Sequence, residues 1–292
     1  MSDLLANLNS PQLQAVTLPP VHALILAGAG SGKTRVLTTR IAWLMSTGQV
    51  GPHGVLAVTF TNKAAKEMTA RLSALVPINT RGMWIGTFHG LCNRLLRAHY
   101  REAGLPQTFQ ILDSADQLAM VKRLLKNLNI DDEKYPPREL CHFINAHKEQ
   151  GVRAGQAEAY DNYTQKRVEL YAEYETQCNR EGVVDFAELL LRCYELLQRN
   201  EPLRAHYQER FKYILVDEFQ DMDGDRLRLL RAIKHGSQAG IMVIGDDDQD
   251  ILRWNRDDTQ ESVHYFQQFA GDYPDLGRLV LRKNFRSGEI IV

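Results

Sequence analysis

Residues 21–34 read VHALILAGAGSGKT, and this stretch decides the fold. Val21 to Ala27 is a short apolar run interrupted only by His22, the texture of a strand buried on both faces of a parallel sheet. It ends in a cluster of glycines. Gly28, Gly30 and Gly32 allow a backbone to curl until successive N–H groups point inward at an anion. Lys33 then reaches toward terminal phosphates, and the Thr34 hydroxyl is a suitable magnesium ligand. From Lys33 onward the apolar positions Val36, Leu37, Ile41, Leu44 and Met45 recur at helical spacing. A helix therefore starts where the loop ends and offers its positive end to the anion. Strand, glycine loop and helix in this order make residues 27–34 a phosphate-binding loop, with Ala27 where the commonest form has its first glycine.

Outward from this loop, Gly51-Pro-His-Gly54 reads as a turn and Val55 to Phe60 as a second strand. Ala64 to Leu75 reads as a helix and Met83 to Gly86 as a third strand. Alternating strands and helices predict an α/β fold with a parallel sheet. From residue 89 to 210 the pattern becomes helical. Ser114-Ala-Asp-Gln117 matches a capping box ahead of an apolar-periodic stretch, Leu118 to Leu128. Tyr135-Pro-Pro137 breaks the chain, and helices are expected over 139–148, 163–179 and 185–198. No strand pattern of comparable strength occurs there, which predicts an all-helical subdomain inserted into the sheet domain. Strand texture returns at Tyr213 to Val216, followed by a helix from Leu227 to Ile233 and a strand from Ile241 to Ile244.

A phosphate loop needs an acidic partner at the end of a nearby strand, and Ile214-Leu-Val-Asp217-Glu218 supplies it. Asp217 is suited to hold magnesium and Glu218 to orient or deprotonate an attacking water. The strand at 241–244 ends in Gly245-Asp-Asp-Asp-Gln249, where Gln249 is placed to sense a terminal phosphate and at least two of the acids read as a solvated turn. Three strands thus end in polar clusters, the edge at which open α/β sheets bind ligands.

Composition excludes several classes. The apolar fraction of 44% and charged fraction of 24% match globular averages of about 45–50% and 25%, which rules out bulk disorder. The longest apolar run is far shorter than the roughly 20 residues that span a bilayer. The N-terminus has no basic, cleavable leader, and the four cysteines never form a C-x-x-C pair, so a soluble cytoplasmic protein is expected. Charge is uneven. Residues 1–100 carry nine Lys/Arg against two acids, a net +7, whereas the remaining 192 carry 26 bases against 34 acids. A basic N-terminal third suits a polyanionic partner.

Together the motifs resemble the superfamily 1 DNA helicases of the UvrD/Rep/PcrA type, over nearly the whole chain. Seven stretches match in order: LNSPQLQAV (8–16), AGAGSGKT (27–34), AVTFTNKAAKEM (57–68), IGTFHGLCNRLLR (85–97), LVDEFQD (215–221), GDDDQ (245–249) and LRKNFRS (281–287). The resemblance implies a P-loop NTPase, RecA-like motor domain formed by 1–88 and 211–280, the helical insertion at 89–210, and 281–292 opening a linker or second motor domain. It implies ATP and Mg2+ as cofactors. ATP would be bound by Gln12 (which in the family reads the adenine), by Ala27, Gly28, Ala29, Gly30, Ser31, Gly32, Lys33, Thr34 and Arg35, and by Phe285 and Arg286. Catalysis would rest on Lys33, Asp217, Glu218, Gln249 and Arg286, with Thr34 and Asp217 on the metal. DNA would meet Thr59, Phe60, Thr61, Asn62, Lys63, Thr87, Phe88, His89 and Trp254. The aromatic residues among these would stack on bases, while Lys63, Arg94 and Arg97 would meet phosphates. Read from the residues alone, Phe88 and Trp254 are better taken as core aromatics.

The resemblance implies an ATP-dependent helicase of 3′-to-5′ polarity acting on single-stranded or 3′-tailed duplex DNA, alongside repair or replication proteins and no membrane. Two departures qualify it. After Gln249 the family continues S-I-Y, a variable residue, an aromatic and R-G-A, whereas this chain has Asp250, Leu252, Trp254, Asn255 and Asp257, which adds negative charge along the DNA side. The sequence also stops at Val292, just after the Arg286 motif, so the expectation is an ATP-binding portion incomplete for unwinding. The alternative is a truncated, helicase-like module that binds ATP and single strands without motor activity.

Overall fold

The computed structural model describes residues 3–28, 30–246 and 261–281. Ala29, Gln249, Trp254, Phe285 and Arg286 lie outside these, as do the altered segment 250–257 and most of the LRKNFRS motif. The chain divides into two compact units, one of Met1–Leu91, Glu201–Asp223 and Leu230–Val292, the other of Cys92–Asn200 with Gly224–Leu229.

The first unit is built on six parallel strands: β1 (Ala23–Ala27), β2 (Val55–Thr59), β3 (Trp84–Thr87), β6 (Tyr213–Val216), β7 (Gly240–Gly245) and β8 (Gly277–Leu281). Their order across the sheet is β3-β2-β6-β7-β1-β8. β1, β2, β6 and β7 are apolar almost without interruption because both faces of the sheet are covered. Helices α1 (Ser10–Thr17), α2 (Lys33–Ser46) and α3 (Asn62–Leu75) pack their apolar positions on this sheet. Val36, Leu37 and Ile41 of α2 and Met68 and Leu72 of α3 share one buried cluster with Ile25, Ala57 and Leu215. The unit also contains α9 (Glu201–Arg210) and α11 (Glu261–Asp272). Residues 201–210, expected in the insertion, group instead with the sheet, where Tyr207 of α9 and the following Phe211 stack edge-on against Trp84 of β3. Helix α4 (Phe88–Ala98) follows β3 directly, and α10 (Gly224–Lys234) lies between β6 and β7 in sequence.

The second unit holds α5 (Ser114–Asn127), α6 (Pro137–Glu149), α7 (Asn162–Glu181) and α8 (Phe186–Arg199). It is not purely helical: β4 (Gln110–Leu112) and β5 (Val183–Asp185) form a short parallel ladder, too brief to leave a periodic signal in the sequence. The cap of α5 also differs from the expectation. Asp113, not Ser114, is the N-cap, its carboxylate accepting from the Asp116 amide at 2.8 Å. That frees Gln117 to turn inward, where it donates to Asn145, Tyr174 and Asp185. Pro137 opens α6 at the position where its missing N–H is harmless. Beneath these helices lies a buried ionic network. Lys148 reaches Asp185 at 2.9 Å and Glu188 at 3.0 Å, Arg153 clamps Glu188 at 2.7 Å, and the Tyr174 hydroxyl donates to Asp185 at 2.6 Å. No helix among the described residues is long and apolar enough to cross a membrane.

Candidate functional site

The C-terminal ends of β1, β6 and β7 converge on a cavity of about 580 Å3. After β1, the chain turns through Gly30 (φ +72°) and Gly32 (φ +81°), both in the left-handed region that costs a side-chain-bearing residue most. Gly32 is the N-cap of α2, so the loop's amides and the helix's unpaired N–H groups face the same space. The Ser31 hydroxyl is buried without a hydrogen-bond partner. Such an atom is seldom left unpaired without a functional reason.

Across the cavity, β6 delivers two carboxylates. Lys33 Nζ lies 2.6 Å from Glu218 Oε1 and 3.9 Å from Asp217 Oδ1. Asp217 is buried, and that burial lifts its carboxyl to about 6; Lys33 pulls it down, and Glu218 pushes it up. Glu218 itself has φ +52°, a conformation that non-glycine residues hold only where the surroundings impose it. Its amide donates to Asp217 Oδ1 at 2.8 Å. Gln220 fixes the other side: its amide nitrogen donates to Glu218 Oε2, and its carbonyl accepts from the Asp246 amide at 3.0 Å. Sequence reasoning gave Gln220 no role, and it also missed Glu67 and Arg71, which line the cavity from α3. The first was visible within the LVDEFQD match. The α3 pair carries only the ordinary i,i+4 spacing of a surface ion pair, and nothing in the sequence marks it.

Of the other expected nucleotide contacts, Ala27, Gly28, Thr34 and Arg35 line the cavity. Gln12 does not line it. It stands behind the loop, almost fully buried, in a capping box in which Asn9 Oδ1 accepts from the Gln12 amide at 2.9 Å and Gln12 Oε1 from the Asn9 amide at 3.1 Å. Its Nε2 donates to the Ser31 carbonyl at 3.0 Å. No cluster of three or more metal-ligating His, Cys, Asp or Glu side chains occurs among the described residues. A magnesium ion that travels with a nucleotide takes only one or two protein oxygens and fills its remaining positions with phosphate and water. The Thr34 hydroxyl and Asp217 carboxylate fit that donor set.

The residues expected to meet DNA fall on the adjoining edge. Thr59 and Thr87 are register partners at the ends of β2 and β3, which brings 59–63 beside 87–89. The Phe60 and Phe88 rings meet edge to face at 5.5 Å. Phe88 is only 4% exposed and supports Phe60 rather than offering an open face. The Thr59 hydroxyl is buried and has no hydrogen-bond partner, Thr61 caps α3 through the Ala64 amide, and Asn62 and Lys63 are exposed. Arg97, expected on a phosphate, is committed elsewhere: it donates to the Phe109 carbonyl at 2.5 Å and lies 3.6 Å over that ring. This edge is one strand from the acids, since β2 pairs with β6 and the Asp217 amide donates to the Val58 carbonyl at 2.9 Å.

A glycine loop opening a helix, with its lysine against paired acids from a parallel strand, defines a P-loop protein. The chain belongs to the family described as the UvrD/REP helicase N-terminal domain, whose model matches residues 8–274. It is similar to DNA helicase II of Escherichia coli K12, at 47% identity over 98% of this chain and 39% of the relative. It is also similar to DNA helicase II of Haemophilus influenzae, at 42% identity over 98% of this chain and 39% of the relative. With the ATP-dependent DNA helicase PcrA of Staphylococcus aureus Mu50, identity is 38% over 100% of this chain and 40% of the relative. The chain thus spans about two-fifths of the length of the curated relatives it matches.

Proposed function

We propose that this chain forms the ATP-binding portion of an ATP-dependent 3′-to-5′ DNA helicase that acts on single-stranded or 3′-tailed duplex DNA in repair or replication. The observation that carries the reading is the 2.6 Å approach of Lys33 to Glu218 inside a cavity walled by the glycine loop. An ammonium held this close to a carboxylate beside a glycine loop supports a site for the terminal phosphate of ATP. An arriving phosphate competes with Glu218 for Lys33, and the exchange leaves the Glu218 carboxylate facing the same space, able to orient a water and accept its proton. The loop amides and the unpaired Ser31 hydroxyl donate to phosphate oxygens, and Arg71 offers a guanidinium from α3. Thr34 and Asp217 would hold Mg2+, which when bound neutralises charge on the phosphates. Gln249, Phe285 and Arg286 keep the roles their motifs imply, as γ-phosphate sensor, base-stacking ring and phosphate contact.

Gln12 retains hydrogen-bonding capacity for a base. One Nε2–H is spent on Ser31 and one Oε1 lone pair on Asn9, leaving one donor and one acceptor, the set that pairs with N7 and N6 of adenine. On the neighbouring edge, Phe60 offers a stacking surface worth about 1–3 kcal/mol per base and Lys63 a phosphate contact. His89, Thr87, Asn62 and Trp254 complete the proposed DNA track.

Hydrolysis of ATP measured with and without single-stranded DNA, in the natural chain and in Lys33→Ala, tests the reading. DNA-stimulated turnover that falls by about 10²-fold or more in the variant is expected, the usual cost of losing a group that stabilises transition-state charge. Absence of turnover together with tight strand binding indifferent to Lys33→Ala would instead favour the non-motor binding module.

A further inference from the structure

One fully buried arginine joins the elements that carry the nucleotide cavity. Arg40 lies two turns beyond Lys33 on α2 and is inaccessible to solvent. Its guanidinium makes no ion pair with a carboxylate among the described residues. Nη1 donates to the carbonyls of Val16 and Leu18, both at 2.8 Å, and at 3.4 Å to Ala15. Nη2 donates to Pro19 at 3.1 Å, and Nε to the Tyr213 hydroxyl at 2.7 Å. The carbonyls of residues 15–18 belong to the end of α1, where they have no partner within the helix and where the helix dipole is negative. The cation therefore completes a helix terminus. A buried charge is costly unless every donor is satisfied, and here the expense secures one segment, α1 and its exit.

The other end of α1 carries Gln12, joined to the phosphate loop through Ser31. The helix is thus held at its start by Gln12 to the loop and at its end by Arg40 to the helix that the loop begins. Tyr213 opens β6, the strand that ends at Asp217 and Glu218. We infer that Arg40 is a positioning residue for base selection, touching no nucleotide but fixing α1 so that the Gln12 amide meets an adenine at the right height and angle. This rests on the proposed ATP reading. Lysine cannot replace it, because a single ammonium cannot span carbonyls on one side and a hydroxyl on the other as the planar fork does.

The experiment compares affinities for Mg-ATP and Mg-GTP by calorimetry in the natural chain, Arg40→Lys, Gln12→Ala and the double variant, with hydrogen exchange of residues 8–18 in parallel. In Arg40→Lys the preference for ATP over GTP should fall by about tenfold, within the range a lost bidentate base contact spans, with GTP affinity nearly unchanged and exchange across α1 faster. Adding Arg40→Lys to Gln12→Ala should change the preference no further. A folded Arg40→Lys whose two affinities fall in parallel, or whose preference stays intact, overturns the inference and leaves Arg40 purely structural. Should that variant not fold, Tyr213→Phe removes one anchor of the fork. A smaller shift in the same direction then supports the inference, and an unaltered preference overturns it. Failure of the natural chain to bind either nucleotide would instead sink the ATP reading, and the role of Arg40 with it.

Discussion

At the scale of the residue, Asp217 shows function opposing stability. Its carboxyl is raised from an ordinary 3.8 to about 6, first by burial, with Lys33 lowering it and Glu218 raising it. A raised acid pKa means that the folded chain holds a proton the unfolded chain has already lost. Stability therefore declines as pH climbs from 3.8 toward 6 and stays reduced above it. Asp217→Asn removes the penalty. We expect the variant to be more stable than the natural chain at pH 7–8 by about 1–3 kcal/mol, with the gain shrinking as pH drops through 6 and vanishing near 3.8. The same change turns the proposed magnesium-binding carboxylate into a neutral amide and should abolish turnover. Thermal melting of both chains from pH 4 to 8 checks this, and a difference that does not vary with pH would refute it. Lys33, Asp217 and Glu218 could all be read from sequence because the chemistry demands those types at strand ends. Arg71 could not, because its part depends on which neighbours the fold supplies, and Gln220, although inside the LVDEFQD match, shows its part only through its bonds to Glu218 and Asp246.

At the scale of the element, the ionic network under α5–α8 fixes how those helices pack. Burial alone would raise the Glu188 carboxyl, but Lys148 and Arg153 outweigh it and hold it well below the usual range. Burial would lower Lys148, and Glu188 with Asp185 reverse that. Removing one partner from such a set strands the other charges in a dry interior. Lys148→Met should therefore raise hydrogen exchange across α6, α7 and α8, with a loss of about 3–5 kcal/mol of local stability at pH 7. The deficit should narrow as pH falls below the ordinary glutamate value of 4.5, because protonation relieves the stranded carboxylates. Exchange measured at pH 7 and pH 4 decides it, and an equal deficit at both would argue against a stranded charge. None of this network was legible in the sequence, since Gln117, Lys148, Asp185 and Glu188 look like the polar faces of three amphipathic segments. The sheet was legible because β1, β2, β6 and β7 are apolar on both faces. The ladder of β4 and β5 was not, because three residues are too few to show a period of two.

At the scale of the whole molecule, a net charge of −1 conceals a basic first third, since residues 1–100 carry +7. That third supplies β1, β2 and β3, and with them both the phosphate loop and the proposed DNA edge. Two polyanions are thus expected within one parallel sheet, where β2 lies beside the acid-bearing β6. Its backbone bond from Asp217 to Val58 makes one ladder common to both sites. If single strands bind at residues 59–63, affinity should fall with salt because each neutralised phosphate releases a counterion, with a slope of about −0.7 per contact on logarithmic axes. Lys63 is exposed on that edge, so Lys63→Ala should lessen the slope by about 0.7 and leave Mg-ATP affinity unchanged. Phe60→Ala should weaken strand binding by about 1–3 kcal/mol while keeping the slope, because stacking releases no ions. Fluorescence anisotropy with oligothymidylate over a range of salt concentrations separates the two. A Lys63→Ala slope identical to that of the natural chain would move the strand away from the β2–β3 edge and break the proposed connection between strand and nucleotide.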